Sequence, residues 1–165
     1  MKNKIIKNWI TLRRRLDKER KKRKKIVFTN GCFDLIHVGH VKIFEECKRH
    51  GDVVVVGINS DRSVQWLKGP TRPIILQNDR AQLLAAFETI DFVTVFGQPT
   101  PENLINTIKP DVLVKGGDWK LVQIVGQGAV KKVVRVPLVK GRSTTGLIQK
   151  IVNLYGQNGS QTSSS

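Results

Sequence analysis

Two histidines, His37 and His40, stand in the run Thr29-Asn30-Gly31-Cys32-Phe33-Asp34-Leu35-Ile36-His37-Val38-Gly39-His40. A short apolar segment precedes this run and a helical pattern follows it over 38–50, so the histidines fall where a helix begins. Free N–H groups and the positive end of the helix dipole bind phosphate at such a place. Both imidazoles can add donors to phosphate oxygens, and Gly39 lets the backbone come close. A pair of structural histidines would use the same residues, and so would a zinc site. Zinc needs further ligands, and neither a third residue at suitable spacing nor the two cysteines, Cys32 and Cys47, supply them. The sequence contains neither G-x-x-x-x-G-K-[ST] nor G-x-G-x-x-G, which weighs against ATPase and dehydrogenase chemistry.

A second phosphate cradle is suggested by Gly141-Arg142-Ser143-Thr144-Thr145, three hydroxyls after a basic residue at the start of another helical pattern. Helix capping accounts for one of these hydroxyls; the others are free for phosphate. Four cations, Lys68, Arg72, Arg80 and Lys115, complete the set. Phosphoryl and nucleotidyl transfer ask little covalent help of a protein. They need charge on the non-bridging oxygens and an in-line approach. Lys68, in a Gly/Pro-containing stretch, is the best placed of the four to reach into a site.

The elements that must position these groups can be read from periodicity. Residues 5–22 carry apolar Ile5, Ile6, Trp9, Ile10, Leu12 and Leu16 at helical spacing. Strands are expected at 26–29, 53–58, 92–96, 111–114 and 133–136. The unbroken Val53–Val56 run marks a strand covered on both faces, as in a parallel sheet. Helices are expected at 38–50, 79–89, from Pro101 to about 109, and from 143 to 155, with 66–77 read as a loop. Alternating strands and helices predict an α/β, Rossmann-like doubly wound sheet of about five parallel strands with helices on both faces. Ligands of such sheets bind beyond the carboxyl ends of the strands. Asn30–His40, Asn59–Arg72, Lys115–Asp118 and Lys140–Thr145 each follow a strand, so these four clusters are expected to meet at one edge.

The chain of 165 residues fits one domain and carries a net charge of +16, much of it between Arg13 and Lys25. That balance calls for a polyanionic partner or a solvated basic helix. The sequence has no membrane-length apolar run and no signal-peptide pattern, and the two cysteines are too few for a disulfide scaffold. The expectation is a cytoplasmic protein without a membrane partner.

H-V-G-H and R-S-T-T, about 100 residues apart, resemble the paired signature of the cytidylyltransferase-like nucleotidyltransferase superfamily. T-N-G-C-F-D-L-I-H-V-G-H, V-G-I-N-S-D-R-S-V, L-K-G-P-T-R-P, P-D-V-L-V-K-G-G-D-W and V-P-L-V-K-G-R-S-T-T are similar, over about residues 8–153, to the adenylyltransferase domain of ADP-heptose synthases. The resemblance implies transfer of AMP from ATP to D-glycero-β-D-manno-heptose 1-phosphate with release of pyrophosphate. It implies His37, His40 and Lys68 as catalytic groups. Thr29, Asn30, Gly31, Phe33, Asp34, Gly39, Lys115, Gly116, Asp118, Arg142, Ser143 and Thr144 would bind nucleotide. Asn59, Asp61, Arg72 and Arg80 would face the acceptor. Mg²⁺ would come with ATP, held by its phosphates and not by protein side chains, and the enzyme would be a homodimer. The implied layout is a basic amphipathic helix at 1–24 packed on the domain, a nucleotidyltransferase domain at 25–155 and a disordered polar tail at 156–165. Two stretches depart from the family pattern: the apolar Pro73–Asn78, and a loop between Gly126 and Val133 shortened by about two residues. Both bear on the acceptor, so a relative using glycerol 3-phosphate with CTP stays open. So does nucleic-acid binding through the basic helix, although a matching helix in the family favours a structural role.

Overall fold

A computed structural model describes residues 3–117, 124–139 and 141–156. Five strands form one parallel sheet: β1 (Ile26–Gly31), β2 (Val53–Asn59), β3 (Phe92–Phe96), β4 (Val112–Gly116) and β5 (Lys132–Val136), in the order β3-β2-β1-β4-β5. Six helices accompany them: α1 (Trp9–Lys21), α2 (Val38–His50), α3 (Asp61–Lys68), α4 (Gln77–Ala86), α5 (Glu102–Ile108) and α6 (Thr144–Tyr155). This is the doubly wound α/β arrangement expected from the sequence. Its strand order reverses beside β1, where β2 lies on one side and β4 on the other, and the crevice at that reversal is where a ligand enters.

Alternation along the strands assigns each face. Val27, Val54, Val56, Val112 and Val114 point to one layer, where Phe44 and Cys47 of α2 and Ala81 and Leu84 of α4 meet them. Phe28, Val53, Val55 and Leu113 point to the other, against Leu12 and Leu16 of α1 and Leu104, Ile105 and Ile108 of α5. β2 is buried along its whole length, which is why its sequence shows no polar alternation.

Three segments differ from the sequence expectation. The helical pattern of 5–22 resolves into an extended piece followed by a helix. Lys4 to Ile6 run beside β3, with the Ile6 amide donating to Val93 O at 2.8 Å and the Val93 amide to Lys4 O at 2.9 Å. Asn8 then caps α1 by accepting from the Thr11 amide. Second, α3 occupies residues left without an element or read as loop. Ser60 accepts from the Ser63 amide at its start, and Gly69 at φ 96° ends it. Third, Pro101 is the residue before α5 rather than its first helical one.

The basic N-terminal helix is not wholly turned to solvent. Arg13 donates to Thr107 O, and Arg20 donates to Ile108 O and Lys109 O. These carbonyls close the C-terminus of α5, where cations are favoured. Residues 157–165, the expected tail, lie outside the described residues. No helix among the described residues is long and apolar enough to cross a membrane.

Candidate active site

α2 begins at the carboxyl end of β1 with a cap built from both histidines. His37 Nδ1 accepts from the Gly39 amide at 3.1 Å, and His40 Nδ1 accepts from the His37 amide at 3.4 Å. A neutral imidazole has one donor and one acceptor nitrogen, so using Nδ1 as acceptor leaves the proton on Nε2 of each ring. Burial pushes His40 down to about 4, with His37 nearby adding to the effect, and burial also lowers His37. Both rings are therefore neutral at pH 7 and offer an Nε2–H.

The rings stack with centroids 3.8 Å apart. Phe33, at φ 46°, sets its ring edgewise on His40 at 5.1 Å and so fixes the pair from below. A Cβ on Gly39 would stand 2.9 Å from the His37 ring, so any larger residue would displace the first histidine. This close approach gives Gly39 a reason within the protein itself.

The second motif meets the first across the chain. Ser143 caps α6, its Oγ accepting from the Gly146 amide at 3.0 Å, and Thr144 Oγ1 donates to Leu35 O at 3.3 Å. A cavity of about 370 Å³ lies between the two helix starts. Thr29, Asn30, Gly31, Phe33, His37, Gly39, His40, Asn59, Lys115, Gly116, Arg142, Ser143 and Thr144 all line it. Thirteen of the expected residues thus come together.

Its remaining walls are Cys32, Ile43, Val136, Pro137, Leu138 and Val139, which sequence reasoning left out as site residues. The V-P-L-V stretch directly before R-S-T-T carried that signal: an apolar wall beside a phosphate cradle suits a nucleoside. Gly116 lies beside it, and a Cβ there would meet the Ile43 side chain of α2, which would have to shift. Among the described residues no Asp or Glu lines the cavity.

Five expected residues lie elsewhere. Asp34 is buried and accepts from the Ile74 and Ile75 amides and from Arg72 Nε at 2.6 Å. Burial alone would raise its pKa; the Ile75 and Ile74 amides and Arg72 outweigh that and hold the carboxyl below the ordinary range. Arg80 is fully buried and donates to Ile75 O, Cys32 O and Asp61 Oδ1. Asp34, Asp61, Arg72 and Arg80 therefore bind one another and the backbone around the 69–80 segment, and they are not among the residues that line this cavity. Lys68 ends α3, exposed and outside the lining. Burial raises the Cys32 thiol, and the charge of Lys68, with those of Arg80 and Arg72, opposes it. Asp118 lies outside the described residues.

Among the described residues no group of three or more His, Cys, Asp or Glu could hold a metal ion.

Comparison with known proteins agrees with this geometry. The chain is 51% identical over 156 residues to the bifunctional protein HldE of Geobacter metallireducens, covering 92% of this chain and 32% of that protein. It is 50% identical over 151 residues to the bifunctional protein HldE of Syntrophotalea carbinolica, covering 89% and 31%. The chain thus spans about a third of the length of the curated relatives it matches. Among solved structures, a lipopolysaccharide core biosynthesis protein from Thermoplasma volcanium superposes with a TM-score of 0.60 at 27% identity, over 71% of this chain and 99% of that one. Residues 28–164 match the cytidylyltransferase-like family pattern, and the chain belongs to that family.

Proposed function

We propose that this chain is an adenylyltransferase that moves AMP from ATP to D-glycero-β-D-manno-heptose 1-phosphate. The observation that carries the reading is one cavity, without a carboxylate among the described residues that line it, into which two neutral Nε2–H groups and the start of α6 converge. Such a site receives a polyphosphate. The choice of acceptor is supported by the HldE relatives near 50% identity and by the structural relative, a lipopolysaccharide core biosynthesis protein.

In this reading a phosphate oxygen of the acceptor attacks the α-phosphorus of ATP in line. The bond from the α-phosphorus to the bridging oxygen breaks, and pyrophosphate leaves with the electron pair. His37 and His40 donate from Nε2 to the α-phosphoryl oxygens and meet the charge that grows there in the transition state. Ser143, Thr144 and Arg142 hold the β- and γ-phosphates at the start of α6. Thr29, Gly31 and Phe33 form the floor, and Gly116 with Pro137 and Leu138 flanks the nucleoside. Mg²⁺ carried on the ATP phosphates would supply positive charge toward the leaving pyrophosphate, beside Arg142, Ser143 and Thr144. Lys68 reaches the site only when the end of α3 moves toward it. The reading places the enzyme in the cytoplasm, where ATP is available. It also carries a homodimer, for which the exposed Ile151, Val152, Leu154 and Tyr155 of α6 offer a surface.

The test is pyrophosphate release with Mg²⁺, crossing ATP, CTP and GTP with β-heptose 1-phosphate, glycerol 3-phosphate and phosphopantetheine. Release with ATP and heptose 1-phosphate alone is expected. Faster release with CTP and glycerol 3-phosphate would keep the chemistry and overturn the substrates.

A further inference from the structure

Strand alternation puts three polar residues side by side on the sheet face away from α2. Asn30 follows Phe28 by two residues, Asn59 follows Val55 by four, and Lys115 follows Leu113 by two. All three thus share the face packed by α1 and α5. They stand at the carboxyl ends of β1, β2 and β4, neighbours across the strand-order reversal.

These same residues line two cavities. One is the 370 Å³ cavity holding the histidines; the other, about 210 Å³, continues past them between Leu67, Phe96, Pro99, Thr100, Pro101 and Ile124. The carboxamides are held in place: Asn59 Nδ2 donates to Ser63 Oγ at 2.9 Å, and Asn30 Oδ1 accepts from Lys115 Nζ at 2.5 Å.

Lys115 has no ion pair among the described residues, and Asn30 is its single hydrogen-bond partner there. Among the described residues no Asp or Glu lines either cavity. Asp34 and Asp61, which follow β1 and β2, are already matched to Arg72 and Arg80. An ammonium so far from water with one neutral partner is costly to maintain, and two of its N–H donors have no partner among the described residues at the junction of two chambers. Burial brings Lys115 down to about 8, a value an incoming anion would raise again.

We infer that Lys115 docks the phosphate of the acceptor and that the smaller cavity receives the acceptor's sugar ring, so that Lys115 selects a phosphorylated acceptor and aims its oxygen at the nucleotide. This rests on the nucleotidyl-transfer reading above and assigns the acceptor's place within it. The polyphosphate already has donors on the α2 side of the sheet, in His37, His40 and the start of α6. Lys115 and the second chamber open on the opposite side. The chamber is smaller than the ~300–1,000 Å³ of most drug-sized pockets, a scale that suits a monosaccharide. Leu67, Phe96 and Pro101 offer apolar walls to the C–H face of a ring, and Asn59 and Thr100 offer partners to its hydroxyls.

The experiment measures Kd for β-heptose 1-phosphate by calorimetry on protein saturated with Mg²⁺ and α,β-methylene-ATP, and Kd for that nucleotide alone. Wild type is compared with Lys115→Met and with Thr100→Phe, which fills the chamber from its exposed rim. Losing a charged hydrogen-bond donor is expected to weaken acceptor binding about 30-fold in Lys115→Met, with nucleotide Kd changed by less than about twofold. Thr100→Phe is expected to weaken the acceptor about 10-fold with the same nucleotide Kd. Nucleotide binding also reports that each variant is folded. An unchanged acceptor Kd in both variants, or an equal loss for nucleotide and acceptor in Lys115→Met, overturns the assignment. Wild type that ignores heptose 1-phosphate altogether overturns the substrate reading first, and the assignment with it.

Discussion

Two buried polar clusters stand three residues apart in sequence at the carboxyl end of β1, and they behave oppositely. In the first, Asp34 meets Arg72 and two amides, while Arg80 meets Asp61 and two carbonyls; every charge is matched within the protein. In the second, His37, His40 and Lys115 face a cavity with Nε2–H and ammonium donors that no carboxylate among the described residues answers. Both contain strongly buried ionisable groups, so burial alone does not mark a site. The mark is a donor left without a partner beside open volume. Matched pairs instead brace the segment that follows α3, and they remove two acids from the neighbourhood of the phosphates.

The comparison breaks most visibly if the matched cluster proves dispensable. Arg80→Met strands Asp61 beside buried carbonyls, and breaking a buried pair costs about 3–5 kcal/mol. Urea unfolding should show that loss; a midpoint near wild type would mean that Arg80 is a spare donor after all. His40→Ala should do the reverse, cutting kcat by ~10²-fold or more while leaving the urea curve close to wild type. Turnover within a few fold of wild type would move His40 into the structural cluster.

A smaller effect sharpens the contrast through pH. His40 sits near 4 in the folded protein against 6.5 when exposed, so between these values the unfolded chain binds more protons. Stability is then level above about pH 6.5 and falls as pH drops toward 4, by on the order of 1 kcal/mol. His40→Gln should flatten that part of the curve. The depressed carboxyl of Asp34 adds its own loss only at lower pH, as the group protonates below its ordinary 3.8. A wild-type profile flat from pH 7 to 4 would show that the histidines are solvated.

Much of this was legible in the chain because the site is written in consecutive residues after strands. Thr29 to His40 and Arg142 to Thr144 each read as strand or cap followed by helix, and the rule for doubly wound sheets brings them to one edge. What escaped depended on contacts between distant segments. Arg80 in a mixed helical pattern looks like any surface arginine until Cys32 O and Asp61 close around it. Lys115 could be placed near the site, but its position between two chambers follows from β1 lying between β2 and β4. The eight residues of α3 were obscured by Gly69 and Pro70 just beyond them, although Ser60 three residues before Ser63 carried the cap.

The extended N-terminal piece matters for how the molecule keeps to itself. An open parallel sheet ends in two strands whose outer backbone groups could recruit another chain. On one margin Lys4 and Ile6 occupy those groups of β3 through Val93, sealing it with the chain's own backbone. On the other, β5 exposes Lys132 and Arg135 on either side of Val133 and Val134, so charge guards that margin. The basic character of the protein thus has a use unconnected with phosphate: it discourages sheets of separate molecules from stitching together.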